Sequence, residues 1–142
     1  MSIQKPGTKL TSKLLWLVLL LATSLNSGGQ QKRVVHVPDE PQGLPFSSGI
    51  VVGKTLYVSG QQGRDQDGKL RSGGIGPQTQ ATLENLEKII KAAGFRLSDV
   101  VNVNVYLVDI HEFQEMNAIY KKFFPDPKPA RTTVQEIGRA HV

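Results

Sequence analysis

The chain has no cysteine among its 142 residues, which excludes disulfides, a thiolate nucleophile and any zinc site of cysteine type. Its three histidines, His36, His111 and His141, stand far apart and make no metal-ligand spacing. No acidic residue precedes Asp39, so the formal charge of +5 is unevenly spread. Lys5, Lys9 and Lys13 all lie within residues 1–29; setting them aside takes the basic residues from 17 to 14 against 12 acids, a balance of +2. A domain that close to neutral is a poor base for phosphate-driven binding, and no nucleic-acid partner is expected. Long hydrophobic runs are missing too. The run Leu14 to Ala22 has nine residues, too few to span a bilayer comfortably. No internal repeat is visible, and the length suits one domain with a real core.

What is present begins with that leader. A basic, polar start through Lys13, the short apolar run and small polar residues through Gly29 match a secretory signal, with cleavage after Ser24 or after Gly29 both chemically sensible. The expectation is an exported protein, periplasmic or secreted, with no membrane contact once the signal is removed; an uncleaved leader would instead anchor it. The domain proper is read as residues 30–136.

Within the domain, Lys32 to Val37 reads as a short strand ended by Pro38. Gly49–Val52 and Thr55–Ser59 are two β runs around Gly53-Lys54, a glycine-first pair suited to a tight hairpin. Gly49 to Thr55 only superficially resembles a phosphate loop, since a strand and not a helix follows. Asp65-Gln66-Asp67-Gly68 reads as a plain turn, because the twelfth position of a calcium loop would fall on Gly76 and not on glutamate. Leu83, Leu86, Ile90 and Ala93 share one face of a helix expected over residues 78–93, closed by Gly94. Val101, Val103, Val105 and Leu107 alternate with polar residues as a strand does. Asp109 and Glu112 mark the start of a second helix with a core stripe of Phe113, Met116, Tyr120 and Phe123 or Phe124. Last comes Pro129-Ala130-Arg131-Thr132-Thr133-Val134. The proline blocks helix continuation and the β-branched residues favour a strand, which sets Arg131 at a strand entrance where its guanidinium could grip a carboxylate bidentately.

The order β-β-β-α-β-α-β predicts an α+β fold, with two helices crossing one face of a single sheet. The hairpin strands are apolar on both faces: Ile50, Val52 and Tyr57 on one, Val51, Leu56 and Val58 on the other. Helices can cover only one of these, so the pattern predicts self-association.

Four blocks in order, Pro45–Gly49 with Gly53–Gln61, Asn85 with Asp99–Val101, Asn117 with Tyr120, and Pro129–Arg131, resemble the RidA/YjgF family of reactive-intermediate deaminases. The likeness runs from about Pro45 to Glu136. It implies a chorismate-mutase-like homotrimer with pockets between subunits. It also implies hydrolysis of enamine and imine acids, such as 2-aminoacrylate, 2-iminopropanoate and 2-iminobutanoate, to 2-oxo acids and ammonia without cofactor or metal. On that resemblance Arg131 pairs with the substrate carboxylate, while Phe46, Ser59, Gly60, Asn117 and the backbone at Thr133 shape the pocket. Members often carry tyrosine and cysteine where this chain has Phe46 and Thr133.

The resemblance also implies a further strand after the arginine strand, bearing a glutamate that orients the attacking water. Residues 137–142 lack strand alternation and read as a non-native tail, so the domain is expected to be C-terminally truncated with its final strand missing. Glu136 is a poor substitute, being on the opposite parity from Arg131. Two other functions stay open at this level: a non-catalytic trimer that binds small carboxylates or serves as an interaction protein, and an endoribonuclease, which the near-neutral charge and the absence of a histidine pair disfavour.

Overall fold

A three-stranded antiparallel sheet and a β-α-β unit, both contacting the same long helix, make up the domain. The computed structural model of the chain describes residues 29–136 apart from 39 and 42. The leader, except for Gly29, and the tail 137–142 lie outside the described residues, as do the readings made for them. The elements are β1 (Lys32–Val35), β2 (Gly49–Val52), β3 (Thr55–Val58), α1 (Ile75–Ala92), β4 (Asn102–Leu107), α2 (Phe113–Phe123) and β5 (Ala130–Gln135), in the order the sequence predicts.

Local chemistry sets their limits. Gly53 takes φ 58°, the positive value a two-residue hairpin between β2 and β3 needs. α1 starts three residues earlier than the expected Gln78, and Pro77 falls in its first turn, where a missing N–H costs nothing. Gly94, at φ 88°, ends it. Asp109 does cap, but it caps a 3₁₀ turn, Ile110–Glu112, that runs on into α2; its Oδ1 accepts from the His111 N–H at 2.9 Å.

A second 3₁₀ turn, Leu97–Asp99, leads towards β4 where the alternation suggested strand. The backbone N–H of Arg96 donates to Asp99 Oδ2 at 2.9 Å and the Arg96 guanidinium to Oδ1 at 3.2 Å. These bonds, the backbone one foremost, hold the Asp99 carboxyl below its ordinary value. A carboxyl depressed on folding contributes stability that is present above its unfolded pKa and is lost as pH falls through the folded one. Asp99→Asn is therefore expected to flatten the acid limb of the stability profile, with urea midpoints of variant and parent converging at low pH. Parallel acid limbs would refute the assignment.

The α+β class and the two helices are as expected, but the single sheet is not. β1, β2 and β3 form one antiparallel ladder in that order, while β4 and β5 form a separate parallel pair in which Val103 lies opposite Arg131 and Val105 opposite Thr133. Strand alternation specifies which face is buried and not which strand lies alongside, so the sequence pattern did not contain this division. The helix layer bridges it. α1 contributes Leu83 to a core with Leu107, Met116, Tyr120 and Phe124, and Ile89 to another with Val35 and Val51. The opposite face bears Val34, Tyr57, Tyr106 and Val134, all exposed, with both tyrosines at 64%. No helix among the described residues is long and apolar enough to cross a membrane.

Candidate functional site

Arg131 is the second residue of β5, and parity turns it, with Thr133, towards the helices. There one face of α2 meets it. Phe113, Asn117 and Tyr120 are spaced i, i+4, i+7, which stacks them along a single stripe. Arg131 Nη1 donates to Asn117 Oδ1 at 2.9 Å. Its guanidinium carbon lies 4.5 Å from the Tyr120 ring centroid and 5.4 Å from that of Phe113, within cation–π range of both. Among the described residues no aspartate or glutamate forms an ion pair with Arg131. A half-buried guanidinium whose partners are one neutral amide and two rings keeps its full positive charge for an incoming anion.

Two buried hydroxyls on this side of the strand and helix, Tyr120 Oη and Thr133 Oγ1, have no hydrogen-bond partner among the described residues. Burial pushes the Tyr120 phenol above its ordinary value, and the nearby Arg131 charge offsets this only in part. The phenol therefore stays neutral at physiological pH. Of the residues named for the site from the resemblance, the structure brings Arg131 and Asn117 into contact. Neither Phe113 nor Tyr120 was given a place in the pocket, Phe113 being read as core and Tyr120 as core and part of the family likeness; the signal that could have found them was their helical spacing from Asn117. Glu136 follows β5 as an exposed residue whose N–H donates to Leu107 O at 2.9 Å.

The other residues expected at the site form a second group. Ser59 Oγ donates to Ser47 O at 2.7 Å and the Ser59 N–H to Ser48 O at 2.9 Å, which fixes the Ser59-Gly60 turn against the segment carrying Phe46. Phe46 is 54% exposed at the edge of an open cavity of about 160 Å³ that also touches His36, Glu40, Leu44 and Ser48. Ser48 Oγ donates to the Glu40 carboxylate there. Beyond Gly60 the chain is pinned to α1: Asn85 Nδ2 donates to Arg64 O at 3.0 Å and to Gln62 O at 3.3 Å. The Asp65 turn is the plain one expected, with Oδ1 accepting from the N–H groups of Asp67 and Lys69. Among the described residues no hydrogen bond, ion pair or ring contact joins the Phe46–Ser59–Gly60 group to the Arg131 group.

Chemically, the Arg131 group can hold a carboxylate. With Nη1 occupied by Asn117, the guanidinium still has an edge able to present two parallel N–H donors.

The sequence from residue 39 to 137 matches the family described as Endoribonuclease L-PSP. A Homo sapiens protein named 2-iminobutanoate/2-iminopropanoate deaminase is 39% identical over 106 residues, 73% of this chain and 77% of that protein. The crystal structure of RidA from an Antarctic Psychrobacter superposes with a TM-score of 0.69 at 34% identity, covering 77% of this chain and 90% of that one. E. coli TdcF with bound serine superposes with a TM-score of 0.69 at 25% identity, covering 77% and 89%.

Proposed function

The chain belongs to the Endoribonuclease L-PSP family, the RidA/YjgF family, and from that premise we propose that it hydrolyses 2-imino acids such as 2-iminopropanoate and 2-iminobutanoate to 2-oxo acids and ammonia. The observation that carries the reading is the guanidinium of Arg131, fixed by Asn117 and two rings and left without an acidic partner among the described residues. The naming of a 39%-identical relative as a deaminase of these acids supports it, and so does a structural relative that binds serine, an amino acid whose carboxylate adjoins a carbon bearing nitrogen.

The chemistry asks little of the protein. The carbon of a protonated imine is already electrophilic, so the site has to hold the carboxylate, limit bulk water and let one water reach that carbon. Water adds to form a carbinolamine; the proton it sheds ends on the nitrogen, the C–N bond breaks, and the 2-oxo acid and ammonium leave. Arg131 anchors the carboxylate throughout. 2-Aminoacrylate enters the same path after tautomerising to 2-iminopropanoate.

The reading includes assembly. Phe46, Ser59 and Gly60 of one subunit and Asn117, Arg131 and Thr133 of its neighbour would form the walls of one crevice in a homotrimer. Two features support this: the separation of the two groups within the chain, and the uncovered apolar face of Val34, Tyr57, Tyr106 and Val134. The secretory-type leader read in residues 1–29 supports an extracytoplasmic working compartment, reached by cleavage of the leader or by anchoring through it.

A second reading rests on the same guanidinium, which holds a small carboxylate whether or not a water then attacks the neighbouring carbon. On that reading the protein binds small carboxylates without turning them over. The test is to generate 2-iminobutanoate with a threonine dehydratase, follow its loss and ammonia release with and without the protein, and measure RNA degradation in parallel. Faster imine loss with intact RNA is expected. An unchanged imine lifetime, with 2-oxobutanoate still bound, would leave the binding reading standing alone.

A further inference from the structure

One hydrogen bond cannot hold a guanidinium plane. The Asn117 amide fixes Nη1, but about that single bond the rest of the group could pivot and carry its free donors out of line. The Tyr120 ring removes this freedom. Its centroid is 4.5 Å from the guanidinium carbon, nearer than Phe113 at 5.4 Å. The ring is itself immobile: Tyr120 is 5% exposed, packed with Leu83, Leu107 and Met116, and its ring lies 4.8 Å from that of Phe124.

Among the described residues the hydroxyl has no partner, so it does not explain why a tyrosine stands here. What the position uses is the face of the ring. The phenol, neutral at physiological pH as tyrosine ordinarily is, with burial pushing its titration further up, offers its negative quadrupole without a formal charge that would compete with a bound anion.

We propose that Tyr120 is a positioning residue for carboxylate recognition, its ring holding the Arg131 fork in the orientation that meets the carboxylate of a 2-imino acid. This rests on the deaminase reading of the Arg131 site. A tyrosine that merely filled the core would affect stability and leave substrate affinity alone.

The full chain carrying Tyr120→Leu, Tyr120→Met or Tyr120→Phe separates these, with KM and kcat measured for 2-iminobutanoate and 2-oxobutanoate as a competitive probe. Loss of the ring should raise KM and the inhibition constant together by about tenfold, with kcat changed far less, in protein whose circular dichroism shows it folded. Tyr120→Phe, which keeps the ring, should restore both constants to within about twofold, as expected if the quadrupole face alone is used. Unchanged constants in folded Tyr120→Leu and Tyr120→Met would overturn the proposal, and so would a Tyr120→Phe as impaired as Tyr120→Leu. If neither aliphatic variant folds, Phe113→Leu decides: a rise in both constants supports the ring clamp and unchanged constants refute it. Arg131→Ala run alongside keeps the two levels apart. Normal constants there sink the reading of the site itself, whereas a dead Arg131→Ala beside a normal Tyr120→Leu sinks only the clamp.

Discussion

Arg131→Ala is expected to abolish turnover of 2-imino acids and binding of 2-oxobutanoate, and Arg131→Lys to lose most of both. Each charge-assisted bond to a carboxylate contributes roughly 1.5–3 kcal/mol when water is kept away. Losing a bidentate pair thus removes about 3–6 kcal/mol, a hundred- to ten-thousandfold effect on kcat/KM. Lysine keeps the charge and fails for geometric reasons: it has no planar fork, and its rotating ammonium cannot satisfy Asn117 Oδ1 and present two parallel donors at once. The fold should survive either change, because Arg131 has no ion pair among the described residues to lose. Steady-state kinetics with calorimetry of 2-oxobutanoate binding checks this, and ammonia release by Arg131→Ala at the parental rate would remove Arg131 from the mechanism.

Gly63→Ala is expected to damage the fold more than any surface substitution. A Cβ at Gly63 would stand 2.3 Å from Gln78 O, 2.7 Å from Gln78 Cα and 2.8 Å from its carbonyl carbon. These are backbone atoms in the first turns of α1 and cannot swing aside as a side chain would. The loop must therefore lift away, and the bonds around it go too: Arg71 N–H to Gly63 O at 2.8 Å and the two from Asn85. A cost of about 2–4 kcal/mol is expected for alanine and more for valine. For a domain this small that is a fall in Tm of roughly ten degrees or more. A parental Tm for Gly63→Ala would show that the loop does not pack so closely. Because Gly60 lies three positions before, any activity lost beyond the stability change would tie this packing to the Ser59-Gly60 turn and its proposed place in the pocket.

Much of this was legible in the sequence. The alternation from Val101 to Leu107, the stripe along α2 and the stop at Gly94 each follow from a local rule, and each element formed where that rule put it, except that Val101 falls just before β4 and is 81% exposed. Arg131 on a proline-led strand was equally plain. Three features were hidden, each for a different reason. The division of the strands into two ladders depends on lateral neighbours, about which periodicity is silent. Tyr120 serves the core and the guanidinium at once, and the spacing that marks a core stripe is the same spacing that marks a clamp. Gly63 resembles any loop glycine in sequence, and only the approach of Gln78 reveals why nothing larger fits.

Arg131 and Asn117 are separated by just fourteen positions, and the segment between them is the tail of one helix and the turn into one strand. Closing so short a loop costs little entropy, so the anchor can assemble early, from neighbours that leave the ribosome almost together. The lip that carries Phe46 comes from a distant part of the chain. On the proposed assembly, natural variation there reshapes what the crevice accepts while leaving the grip untouched, so that substrate range and affinity for the acid group drift independently.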